Sequence, residues 1–176
     1  MMTVAFVARI AGLLVFGTLL CSGATHLRHS ASFGAALTAQ GIHSLTVRRL
    51  VTSVVTACEL AIGATGLTAG AVAWLVGLRV TAIAAMLLNA AFACYTWVLI
   101  RRRPGAPCGC GHRLEPATIG TVTRAAALSL MATLPLLARP PSSGGSPTYT
   151  ALAVLCAAGL GIALWQVPSA TMAMQP

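Results

Sequence analysis

A chain of 176 residues that is 57% hydrophobic and only 7% charged, with a mean hydropathy of +0.87, cannot solvate its own surface; soluble domains carry about 25% charged residues. The net charge of +9 is carried by eleven arginines with no lysine, and they flank apolar segments. That placement suits membrane topology and headgroup contact, and it excludes nucleic acid as a partner, for which a basic, aromatic-interleaved surface is required.

What remains is an all-α, multi-pass protein of the cell membrane whose immediate partner is lipid. The first span is expected from about Val4 to Ser22. It has no basic segment before the apolar run and no small-residue cleavage site, and the residues before Cys21 do not fit a lipoprotein signal, so the helix is expected to stay. The polar stretch "THLRHSASFGAALTAQGIHS" follows, with a short interfacial helix at about 31–40. A second span is expected at about Arg49–Leu67, a "GLTAG" turn, and a third span at about Ala71–Ile100. After the loop 101–117 comes a fourth span at about Thr118–Ala138. The segment "RPPSSGGSP" then breaks the helix, and a fifth span at about Tyr149–Val167 closes the chain. The organisation is therefore a four-helix core (1–138), a Pro/Gly/Ser linker (139–148) and one added C-terminal helix with its tail (149–176).

Helices one to four put the 23–48 and 101–117 loops on one side. Those loops and their flanks hold Arg28, Arg48, Arg49, Arg101, Arg102, Arg103 and Arg113, against Arg9, Arg79 and Arg139 on the other. Seven arginines against three favour a cytoplasmic 101–117 loop and an external N-terminus.

Glu59, in "TACELAIG", falls in mid-span, where a lone carboxylate costs on the order of 3 kcal/mol and is expected to be neutral, paired or functional. With spans two and three as an antiparallel hairpin, Glu59 and Arg79 each lie about eight residues from the turn, roughly 12 Å deep by helix rise. A Glu59–Arg79 pair is expected, helped by Asn89 deeper on the third span. It reads either as a structural clasp or as a proton site and polar contact for a bound quinone. Cys21, Cys58, Cys94 and Cys156 lie in apolar helices, where cysteine behaves as a small hydrophobe. His26 and His29 read as capping residues at the end of helix one.

The sharpest chemistry lies in "RRRPGAPCGCGHRLEP". Cysteines at i and i+2, with glycine between them, can bring their Cα atoms within the roughly 7 Å a disulfide allows. A ring that small is strained and readily exchanged. The neighbouring arginines and His112 favour thiolate, and Pro104, Pro107 and Pro116 keep the loop out of the flanking helices. Three readings compete: a redox-active Cys108/Cys110 dithiol, a metal site of Cys108, Cys110 and His112 suited to zinc or copper(I), and an inert loop in a non-catalytic scaffold subunit.

The order of these features resembles the MauE branch of the MauE/DoxX group of redox-associated membrane proteins. The likeness rests on "GATHLRHSASFGAAL" at the end of helix one, "CELAIG" in helix two, "PCGCG" after an arginine-rich helix exit, and "TVTRAAAL" opening helix four. It covers about residues 5 to 138; His26 stands where the family tends to carry lysine, and "CGCGH" replaces "CGCFG". The resemblance implies a four-helix membrane protein that assists maturation of the disulfide-rich small subunit of methylamine dehydrogenase, beside a thioredoxin-like partner. It implies Cys108 and Cys110 as the redox pair and Glu59 as the intramembrane acid. Whether such a chain is a thiol–disulfide oxidoreductase itself or an accessory maturation factor is left open, as is the side of the loop, since oxidative maturation of exported proteins belongs outside the cytoplasm.

Overall fold

A computed structural model describes residues 2–109, 115–137 and 147–172. Seven helices follow in order: α1 (Met2–Arg28), α2 (Ser30–Ala39), α3 (Leu45–Ala71), α4 (Leu75–Arg102), α5 (Ile119–Met131), α6 (Leu134–Leu137) and α7 (Pro147–Met172). Four segments are long and apolar enough to cross a membrane: Ala5–Arg28, Leu45–Ala71, Leu75–Arg102 and Ile119–Leu137. An all-α membrane bundle results, with no strand among the described residues.

In hydrocarbon every backbone donor and acceptor has to be satisfied within its own helix, which favours long uninterrupted spans. The first two spans accordingly run past their expected ends, and the third is shifted towards the C-terminus. "GLTAG" does not turn: Thr68 donates to the Ala64 carbonyl at 3.0 Å, the helix continues to Ala71, and the turn occupies residues 72–74, with Ala73 at φ +56°. Helix one continues through His26 to Arg28. The fourth span is two pieces, since α5 ends at Met131 and α6 begins at Leu134 beside Pro135, which lacks the donor an unbroken helix would need. The short helix expected at 31–40 is α2, held down by Phe33, Ala36 and Leu37 on its buried face.

The core lies among α1, α4, α5 and α7, where Leu14, Val15, Phe16, Ala85, Leu128 and Ala157 pack together. α7 thus packs into the same core and touches α1 and α5; the expected 139–148 linker falls almost wholly outside the described residues. α1 and α3 make the most intimate pair. A Cβ on Gly63 would stand 2.7 Å from the Leu20 backbone nitrogen and 2.9 Å from the Phe16 carbonyl oxygen, so only glycine admits this approach. That approach brings the middle of α3 against the last turns of α1.

Candidate functional site

The loop after α4 folds back on itself. Pro107 and Pro116 face each other in an isolated antiparallel bridge. The Cys108 N–H donates to the Glu115 carbonyl at 3.1 Å, and the Ala117 N–H to the Ala106 carbonyl at 2.9 Å. Proline has no N–H, so the bridge takes its bonds from the neighbouring residues. Gly109 follows at φ +74°, a left-handed conformation that favours glycine. A Cβ there would come within 2.9 Å of the Phe33 ring, so the loop is seated on α2.

Two side chains fasten it further. The Gln40 amide donates from Nε2 to the Pro107 carbonyl at 2.6 Å, and the Tyr95 hydroxyl donates to Gln40 Oε1 at 2.6 Å. One buried glutamine therefore ties α4 to the residue preceding Cys108. Cys108 is disulfide-bonded, whereas Cys21, Cys58, Cys94 and Cys156 are free. Three of those four are exposed on the outer faces of the bundle, as small apolar residues of lipid-facing helices are. Cys110, the remaining cysteine of the chain, and His112 and Arg113 lie outside the described residues. Two of the three members of the metal set Cys108, Cys110 and His112 are therefore among them.

Glu59 lies deeper, opposite the end of α1. Its Oε1 accepts a hydrogen bond from the Ser22 hydroxyl at 2.9 Å. Its Oε2 stands 3.6 Å from His26 Nε2 and has no hydrogen-bond partner. The His26 ring packs at 4.4 Å on Phe33, the side chain against which the Cys108–Gly109 segment rests. The structure therefore corrects the expected Glu59–Arg79 pair. With α3 ending at Ala71 and α4 starting at Leu75, Glu59 is twelve residues from the turn and Arg79 four. At 1.5 Å per residue their depths differ by about 12 Å, and Arg79 is exposed. Asn89, the third of this group, does lie near Glu59's level; its amide donates to the Ala85 carbonyl at 2.9 Å.

A cavity of about 380 Å³ joins the two regions. Cys108 and Gly109 line it together with Ser22, His26, Glu59 and Asn89. Arg124 of α5 lines it as well. His26, Ser22, Gln40, Tyr95 and Arg124 were not picked out from sequence as parts of a site. The one available signal was composition: histidine, glutamate, asparagine and arginine inside apolar helices are rare enough to mark an interior-facing group.

A polytopic helical membrane protein is thus defined, with a disulfide-bearing loop seated over an intramembrane polar cluster. Residues 3–138 match the family model described as methylamine utilisation protein MauE, and the chain belongs to the MauE family. No curated protein and no solved structure matches it.

Proposed function

We propose that this protein is a membrane thiol–disulfide exchange component in which Cys108 and Cys110 form the reactive pair, acting on a thioredoxin-like partner in the maturation of another protein. The observation that carries the reading is the state of Cys108. It is disulfide-bonded in a loop fastened by Gln40 and Tyr95, while the four other described cysteines are free thiols. Family membership supports it through the family's association with methylamine utilisation.

In the exchange, a partner thiolate attacks one sulfur of the pair and the Cys108–Cys110 bond breaks. The released sulfur takes up a proton. A second partner thiolate then cleaves the mixed disulfide, so the partner loses two electrons and this chain ends with two thiols. The seated loop limits the geometries from which the attack can come, which favours one sulfur over the other.

Incubating the purified protein with a reduced thioredoxin-type protein tests this. The expected result is oxidation of the thioredoxin dithiol by the wild type and its loss in Cys108→Ser and in Cys110→Ser. A wild type that leaves the thioredoxin reduced, or serine variants as active as wild type, sinks the exchange reading and favours a non-catalytic scaffold.

A further inference from the structure

A disulfide that has oxidised a partner is left as two thiols and has to be reoxidised by a two-electron acceptor. The cavity beneath the loop carries the features such an acceptor needs. Cys108 and Gly109 form its wall at the loop end, and Ser22, His26, Glu59 and Asn89 stand on it along α1, α3 and α4. Most of the remaining wall is apolar, with Leu37, Val51, Val55, Phe92 and Leu128. The volume, about 380 Å³, falls in the range of small-molecule sites, roughly 300–1,000 Å³.

We propose that this cavity binds the ring of a lipophilic quinone, which reoxidises the Cys108/Cys110 dithiol. The inference rests on the exchange reading. In the step, the S–S bond forms and both S–H bonds break. The electron pair and two protons end on the two quinone carbonyl oxygens, and the product leaves as the hydroquinone. The acceptor must therefore dissolve in hydrocarbon and take up protons as well as electrons.

The occupant follows from the wall. A lipid acyl chain suits the apolar part but leaves the carboxyl, imidazole and amide groups without a use, and burying polar groups unbonded is costly. A water-soluble oxidant suits neither the depth nor the apolar lining. A quinone ring matches both: its faces pack on leucine, valine and phenylalanine, and its two oxygens bond polar side chains. Tyr95 and Arg124 also line the cavity; the His26–Glu59 pair, 3.6 Å apart, is the acid–base pair on this wall suited to hold a proton near neutral pH and pass it on.

The test uses the full chain in lipid nanodiscs, fully reduced, without oxygen, with decylubiquinone as the probe. Hydroquinone formation is followed by ultraviolet absorbance and thiols are counted in parallel. The expected result is one hydroquinone per two thiols lost. Glu59→Gln is expected to slow the reaction by about tenfold or more, as loss of a positioned proton-transfer group does, while Glu59→Asp retains most of the rate. Val55→Trp, which narrows the cavity one helical turn from Glu59, is expected to raise the quinone concentration needed for half-maximal rate. Thioredoxin oxidation without hydroquinone formation overturns the inference and leaves the exchange reading standing. Wild-type kinetics in both Glu59→Gln and Val55→Trp also overturn it. Failure of both thioredoxin exchange and quinone reduction removes the exchange reading itself, and the inference with it.

Discussion

Gln40 links the cysteine loop to α4, and its contacts put a number on how firmly. Its amide nitrogen donates to the Pro107 carbonyl and its oxygen accepts from Tyr95, both at 2.6 Å. Gln40 itself is buried at 8% exposure, so no water replaces a lost partner cheaply. A neutral hydrogen bond of this kind contributes about 1 kcal/mol. If the bond is lost when the loop is opened for reduction, removing it favours the open form by about fivefold. Tyr95→Phe is therefore expected to raise the rate at which dithiothreitol reduces the Cys108 disulfide by roughly that factor, with the helical circular dichroism unchanged. An unchanged reduction rate would show that the clamp does not restrain the loop. None of this was legible in the sequence, where Gln40 and Tyr95 are 55 positions apart and each reads as an ordinary polar residue near a membrane surface. The cysteine pair was legible, because two cysteines around a glycine are chemically conspicuous wherever they fall.

At the scale of the helices, the pattern of apolar runs was enough to find the four long spans, while the expected fifth falls on α7, where the apolar stretch is the shorter Ala151–Ala163. The turn residues were not enough to end the spans. "GLTAG" reads as a breaker in water, yet its Gly66 is buried against Phe16 in the bundle and its threonine bonds back to its own helix. That shift of a few residues carried Glu59 away from Arg79 and towards α1, and the error at the site is an error of helix length. The α1–α3 contact that replaced the expected pairing depends on Gly63. A methyl group there meets backbone atoms at 2.7 and 2.9 Å, which cannot move aside as a side chain can. Gly63→Ala is expected to cost about 1–3 kcal/mol, the usual range for overpacking, seen as a lower midpoint of thermal unfolding in detergent. Gly17, on α1, has nothing within 4 Å of such a methyl, so Gly17→Ala is expected to leave the midpoint within error or raise it slightly through helix propensity. Equal losses in the two variants would mean that the close approach at Gly63 is not what holds α1 to α3.

For the whole molecule the question is which face of the membrane the loop occupies, because that decides what its partner can be. The structure brings α2 and the 101–109 segment together at one end of the bundle through Phe33 and Gln40. The arginines around them therefore act as one group: Arg28, Arg48, Arg49, Arg101, Arg102 and Arg103, with Arg113 in the same loop by sequence. The other end has Arg9, Arg79 and, by sequence, Arg139. Arginines close to the ends of spans are held on the cytoplasmic side during insertion, and acidic residues do little to offset them. Arg101 also stacks at 4.4 Å on the Trp97 ring, an amphipathic pairing suited to the headgroup level of a bilayer. The expected topology has the loop inside. With the four free cysteines replaced, a membrane-impermeant maleimide is expected to label Cys108 and Cys110 only after reduction and only in permeabilised cells. A cytoplasmic loop restricts the proposed thioredoxin-like partner to that compartment, where a disulfide is a transient catalytic species that has to be regenerated each cycle, and the proposed quinone in the bilayer core is reachable from either face. Labelling of intact cells after reduction alone would place the loop outside. It would mean that helix packing overrides seven arginines against three, and it would assign the exchange to the folding of exported proteins.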